Sequence, residues 1–408
     1  MDADNSEIKR VILLTTRLAN AGGAERLILE IAKYLKRDGV ETHVLTFELN
    51  NKALFNEAYD VNIEQIGYKT ESKLSLLGAV QQIANIFILR RKIRKIRPDI
   101  IISLTSFFSY FATLFSSFSY VIHIHGTIFW LPTDLLKYAF IHRKVFNEIL
   151  DSNRGHREFI SPHPPKMNLV KRMLVEAHAY TAYISIRKAK EIFVLSNRMK
   201  WEVYKLYGKN AIVLKGAFPS QIFHHKPRQN IKVKLGLEDK RIILNVNRLV
   251  IMKRVDLLIK AFKQISEEFN DLVLIIGGTG PEEKNLKALA KELNMQDRVK
   301  FVGYIKEEEL LDYYISCDVF VHPEWADFDI APYEALALHR KVVWSSEMET
   351  DEYLKDCKLI FVANPTVDDL AKVIKKALMT EVAEKKDLQE YTWETYCERL
   401  MKVIDHSL

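Results

Sequence analysis

Cysteine is nearly absent from the 408 residues. Cys317, Cys357 and Cys397 are odd in number and far apart, which excludes a disulfide framework and a cysteine zinc cluster and fits a reducing compartment. The opening Met1-Asp2-Ala3-Asp4-Asn5-Ser6-Glu7 is acidic and polar, so no signal peptide is expected there. There is no fixed-period repeat and no low-complexity tract. An unbroken apolar span is also missing. Residues 100–133 carry no Asp, Glu, Lys or Arg, but serines between Ser103 and Ser119, then His123, His125, Gly126 and Pro132, interrupt them. That stretch reads as buried strand, helix and strand rather than as a membrane crossing.

What is present is a globular composition: 48% hydrophobic and 28% charged residues, enough for two large domains. Charge is unevenly spread. Residues 1–225 hold 32 Lys+Arg against 20 Asp+Glu, and residues 226–408 hold 28 against 33. A basic front half points to an anionic substrate or surface, or to a plain lysine-rich solvated face.

β-branched runs alternate with helical patterns from end to end. Strands are expected at 10–16, 42–47, 61–68, 99–104, 120–126, 191–196 and 211–216, then at 241–247, 272–277, 299–304, 319–322, 341–345 and 359–362. Helices are expected notably at 24–36, 76–97, 255–269, 282–293, 306–316, 332–339 and 367–379. Two such series imply an α/β protein of two doubly wound Rossmann-like domains facing across a cleft, each binding ligand at the carboxyl ends of its strands. The expected division is 1–222, with a loop-rich insertion carrying one or two helices at about 127–179, then 223–390, then a helix in 391–408 crossing back to the first domain. The boundary is placed in the polar, proline-flanked stretch 219–230.

Chemistry gathers at strand ends. The first strand lacks Gly-x-Gly-x-x-Gly, which disfavours a nicotinamide dehydrogenase. It runs instead into Gly22-Gly23-Ala24-Glu25-Arg26, either a tight turn or a helix start that lets backbone N–H groups approach an anion. Asn247-Arg248-Leu249 is followed by Lys253, a guanidinium and an ammonium able to clamp a diphosphate. Gly278-Thr279-Gly280-Pro281 is a second glycine turn suited to close approach of a nucleotide. Pro332-Tyr333-Glu334-Ala335-Leu336-Ala337 opens a helix whose Glu334 could accept from a ribose diol or simply complement the helix dipole.

Taken in order, with Phe301-Val302-Gly303-Tyr304, these motifs resemble the retaining, nucleotide-sugar-dependent glycosyltransferases of family four, which have the GT-B architecture. The resemblance covers nearly all of 10–400 and is strongest over 245–346. It implies that Arg248 and Lys253 bind the donor diphosphate and stabilise the leaving group, and that Glu334 holds the donor ribose. It further implies that the loop Phe328, Asp329, Ile330 and Ala331 contacts donor sugar and phosphate through its amides, with Gly22, Gly23, Thr279 and Gly280 around the donor. His125 matches a histidine near the donor sugar, whereas His123, on the same strand face, reads as a core residue. One departure stands out. The first glutamate of the Glu-x7-Glu pattern falls on Ala326, so Asp327 or Asp329 is expected to supply the missing carboxylate.

The implied reaction is sugar transfer from a nucleotide sugar to a glycan or lipid-linked acceptor, with no metal or other cofactor. Two alternatives stay open: an epimerase or phosphorylase on the same architecture, and a catalytically silent nucleotide-sugar-binding protein. Arg90-Arg91-Lys92-Ile93-Arg94-Lys95-Ile96-Arg97, near Phe107-Phe108-Ser109-Tyr110-Phe111, is either an ordinary charged helix face or a peripheral contact with an anionic membrane. The expected location is cytoplasmic, at the inner membrane face. No recognisable nucleic-acid module is present.

Overall fold

The structure, a computed structural model, describes residues 8–18, 22–50, 61–69, 76–104, 113–114, 117–126, 135–152, 158–325 and 328–407. It divides into two units, Met1–Ala217 with Trp393–Leu408, and Phe218–Thr392.

In the first unit, strands β1 (Arg10–Thr15), β2 (Glu41–Thr46), β3 (Asn62–Gln65), β4 (Ile100–Leu104), β5 (Tyr120–Ile124), β6 (Ile192–Val194) and β7 (Ile212–Val213) form one parallel sheet ordered β3-β2-β1-β4-β5-β6-β7. The β4 and β5 runs are buried throughout, as a parallel sheet covered on both faces requires. Val11 pairs with Thr42 on one side and Ile100 on the other, which centres β1. The crossover helices are α1 (Gly23–Arg37), α2 (Leu76–Ile96), α3 (Arg143–Ser152), α4 (Leu169–Lys188) and α5 (Asn197–Tyr207). Helix α1 forms because Leu27, Ile28, Ile31 and Leu35 recur on one buried face, with Lys36 and Arg37 at its carboxyl end.

The insertion expected at 127–179 falls partly outside the described residues. Its described part holds α3 and the start of α4, within the one or two helices expected. Helix α4 is 20 residues long and runs beyond the insertion, burying Val175, Ala179, Ala182 and Ile186 at helical spacing. Small alanines carry that face, so the sequence signal is weak. Asn168 caps its start by accepting from the Lys171 N–H at 2.8 Å.

The second unit holds β8 (Arg241–Val246), β9 (Leu272–Gly277), β10 (Val299–Gly303), β11 (Val319–His322), β12 (Lys341–Ser345) and β13 (Ile360–Ala363). They form a parallel sheet ordered β10-β9-β8-β11-β12-β13, whose order reverses between β8 and β11. A ligand crevice is expected at the carboxyl ends of that pair. Helices α6 (Ile231–Leu235), α7 (Val255–Ser266), α8 (Glu283–Glu292), α9 (Glu307–Ser316), α10 (Ile330–Ala337) and α11 (Val367–Met379) cover it. At the opposite edge Arg241 forks onto Asp271 at 2.6 and 2.7 Å, tying the start of β8 to the chain before β9.

The boundary between units lies at 217/218, earlier than the expected 222/223, and the return lies at 392/393 rather than 390/391. Phe218 and Ile222 are buried in the second unit's core, and the Phe218 N–H donates to the Tyr391 carbonyl at 2.9 Å. Helix α12 (Trp393–Ser407) belongs to the first unit, where Tyr396, Cys397, Leu400 and Ile404 share a core with Leu27, Ile28 and Ile31.

Candidate active site

The carboxyl edge of the second sheet is built from two loops held backbone to backbone. The Asn247 N–H donates to the Gly277 carbonyl at 3.0 Å, and the Leu249 N–H to the Thr279 carbonyl at 2.9 Å. A Cβ at Gly278 would lie 1.8 Å from the Asn247 oxygen, and one at Gly280 would lie 2.2 Å from the Leu249 oxygen. Gly278 also sits at φ +116°, a conformation L side chains rarely adopt. These glycines therefore permit close approach of the neighbouring loop, a need that the sequence alone does not show. Thr279 stands exposed beside them.

That packing delivers two cations. Arg248 is exposed, and no described residue pairs with its guanidinium. After a short 3-10 turn over Ile251–Lys253, Arg254 adopts a left-handed φ of +48° before α7 begins. Arg254 is buried and turned away to Glu347, at 2.5 Å. Lys253 points instead toward the end of β11. Its ammonium hydrogen-bonds Glu324 Oε2 and Asp329 Oδ2, the latter at 2.6 Å. His322 Nε2 lies 2.9 Å from the same Glu324 oxygen and 3.4 Å from the same Asp329 oxygen. The Trp325 backbone N–H donates to the Met252 carbonyl at 3.3 Å, fixing one loop against the other.

Burial and charge oppose each other here. Burial alone would pull Lys253 below the ordinary amine range, but the Asp329 and Glu324 carboxylates outweigh it and hold it charged. Asp329 resists burial through Lys253 and His322 and stays well below the usual carboxylate range. Glu324 is fully buried, and burial pushes its carboxyl up. His322 is raised despite burial by hydrogen bonds to Asp329 and Glu324. The donor atoms of His322, Glu324 and Asp329 lie within 4.8 Å of one another, a spacing a metal ion could use. The Lys253 ammonium already supplies the positive charge among them.

Asp329 occupies the N-cap position of α10 without capping it, because its carboxylate is engaged by Lys253. Ile330 and Ala331 open the helix, and the Phe328 ring lies 4.9 Å from that of Tyr333. Glu334 follows in the same helix, buried, with Oε2 accepting from the Tyr314 hydroxyl at 3.0 Å. Ala326 and Asp327 lie outside the described residues. Sequence reasoning missed His322. The signal available was the density of acids in His322-Pro323-Glu324-Trp325-Ala326-Asp327-Phe328-Asp329, anomalous at a strand end where an anion is expected.

At the carboxyl edge of the first sheet, Gly22 is the N-cap of α1 and Gly23 its first residue. A Cβ on Gly23 would meet nothing within 4 Å, whereas one on Gly22 would lie 2.7 Å from the Glu25 Oε2, whose carboxylate sits over the helix start. His125 follows β5, its ring 4.3 Å from that of His123. Neither of its buried ring nitrogens has a hydrogen-bond partner, and burial pulls its pKa down to about 3. It is a neutral imidazole. His123 is a core residue whose Nε2 meets the Tyr396 hydroxyl of α12.

Two family models match the chain: Glycosyltransferase Family 4 over residues 21–214 and Glycosyl transferases group 1 over residues 227–394. An uncharacterised glycosyltransferase of Methanocaldococcus jannaschii is 26% identical over 239 residues, 54% of this chain and 61% of that protein. The alpha-monoglucosyldiacylglycerol synthase of Streptococcus pneumoniae is 27% identical over 166 residues, 40% of this chain and 36% of its own. The chain thus aligns with less than two thirds of the length of these relatives. Among solved structures, Anabaena HepE in complex with UDP and glucose superposes with a TM-score of 0.70 at 17% identity, covering 98% of this chain and 100% of that one. That likeness shows the GT-B fold. With one model on each unit, the chain belongs to the family-four, group 1 glycosyltransferases.

Proposed function

We propose that the protein transfers a sugar, with retention of anomeric configuration, from a nucleoside-diphosphate sugar to a glycan or lipid-linked acceptor. The observation that carries this reading is the pair of cations at the β8 and β11 strand ends, Arg248 open to solvent and Lys253 held charged. A nucleotide sugar needs little covalent help, provided the charge developing on its β-phosphate is neutralised. Preorganised positive groups do that work, commonly the largest single contribution to catalysis. Glu334, buried in α10 of the same unit, would hold the ribose. No metal is needed, because the positive charge is supplied by side chains. Turnover that survives a chelator supports this part of the reading.

The test is release of nucleoside diphosphate from UDP-, GDP- and ADP-sugars, with product configuration read by NMR. Release from one of them, retained configuration and collapse of turnover in Lys253→Ala support the reading; no release from any sinks it.

A lipid-linked acceptor at an anionic membrane is favoured by the outward face of α2. Leu77, Val80, Ile83 and Phe87 are each more than half exposed on that face, and Arg91, Arg94 and Lys95 continue it. An apolar patch followed by bases suits partial insertion beside anionic headgroups, with about 1 kcal/mol gained per base near the surface. The aromatic run 107–111 lies outside the described residues. No described helix is long and apolar enough to cross a membrane; the contact proposed is a peripheral one through α2, at the cytoplasmic face. Cosedimentation with anionic but not neutral vesicles, lost in Val80→Asp with Phe87→Asp, is the expected result. Equal recovery with both lipids would refute docking.

A further inference from the structure

Two of the three N–H donors of the Lys253 ammonium are taken by carboxylates, Glu324 and Asp329, so a diphosphate that takes more than the remaining one must displace an acid. The two acids are not equivalent. Glu324 is fully buried and anchored 2.9 Å from His322, whereas Asp329 is 21% exposed, 3.4 Å from His322, and sits on the loop entering α10. Asp329 is the partner that can leave. The remaining charged neighbours do not replace it: Arg254 is committed to Glu347, and Arg248 is exposed. In a nucleotide sugar the anomeric carbon is joined to the β-phosphate through one oxygen. Whatever phosphate displaces Asp329 from Lys253 therefore brings sugar hydroxyls next to the displaced carboxylate.

We infer that Lys253 and Asp329 exchange partners on donor binding: the diphosphate takes the ammonium, and the freed Asp329 carboxylate accepts from donor-sugar hydroxyls. Asp329 is thus a competitor of the nucleotide and a determinant of the sugar. The exchange accounts for an acid placed on the ammonium proposed to bind phosphate. It rests on the nucleotide-sugar reading above.

The test is calorimetric titration of wild type and Asp329→Asn with UDP, GDP and ADP and with their glucose or mannose conjugates. Asp329→Ala and melting temperatures run in parallel as a check on folding. Removing a competing charge-assisted hydrogen bond should tighten the bare diphosphate about tenfold. The sugar conjugate should not tighten, because it loses its hydroxyl acceptor, so the preference for conjugate over diphosphate falls by about tenfold or more. A role confined to structure would move both ligands alike. Equal shifts, or weaker binding of the bare diphosphate in both variants, overturn the exchange while leaving donor binding intact. If no diphosphate binds wild type, the donor reading fails and the exchange with it.

Discussion

The two sheets end in different chemistry. At the first, the uncharged imidazole of His125 follows β5, while Arg17 and Lys69 both pair with Glu48 beyond the ends of β1 and β2. At the second, four ionisable side chains crowd one point and neutralise one another. Both sheets are parallel, and strand order reverses beside β1 in one and beside β8 in the other. The wiring therefore sets where a ligand can sit, and the residues at the strand ends set what it is. The first edge carries a neutral imidazole and exposed ion pairs; the second carries a buried cluster of charges.

The sharpest contrast between the edges is catalytic. Lys253→Ala or Arg248→Ala should each raise the barrier by about 2–4 kcal/mol, by analogy with a lost oxyanion donor. His125→Asn should cost less, because a neutral imidazole contributes one hydrogen bond, worth about 0.5–1.5 kcal/mol. Steady-state turnover of the three variants ranks the edges, and a larger loss at His125 would reverse the comparison. Of similar size, but confined to stability, is Leu400→Ala in α12. It should destabilise the first unit by about 2–5 kcal/mol and leave the protection of the second unit's amides unchanged. Hydrogen exchange resolved by segment checks this.

Gly280→Ala forces a methyl onto the Leu249 backbone and should cost about 1–3 kcal/mol, weakening nucleotide binding through the Arg248 loop. A change in binding without one in melting temperature would mean that the glycine meets the ligand directly. The smallest effect is acid dependence. The folded-state pKa of Asp329 is depressed, so its contribution to stability is present above the ordinary carboxylate range and fades as pH falls through the lower folded value. Glu324 is shifted the other way, so the comparison must be a difference. Asp329→Asn should melt with a shallower acid slope than wild type; parallel slopes would show that Asp329 is not held ionised.

Much of this organisation was legible beforehand. Strands such as 272–277, 319–322 and 341–345 announce themselves because parallel strands covered on both faces are continuous β-branched runs bounded by turn residues. Arg248 and Lys253 drew attention because they follow a strand end, and Glu334 because it opens a helix; Asp329 was singled out through the family resemblance. What was hidden depends on tertiary contact. Nothing in Gly278-Thr279-Gly280 says that a neighbouring carbonyl fills the space. Nothing local to His322 says that Lys253, far away in sequence, will share its carboxylates. Helix α4 was obscured by alanine, and the boundary at 217/218 shows only in tertiary contact, where Phe218 enters the second core and bonds Tyr391.

The most direct measurement is the affinity of wild type for UDP, GDP and ADP, set beside that of the double variant Arg248→Ala, Lys253→Ala. The account predicts that one nucleotide binds wild type and, at a hundred times its Kd, adds about 2.7 kcal/mol of stability. It also predicts that the double variant, still folded, gains nothing. Equal stabilisation of both proteins would place the nucleotide elsewhere and contradict the account.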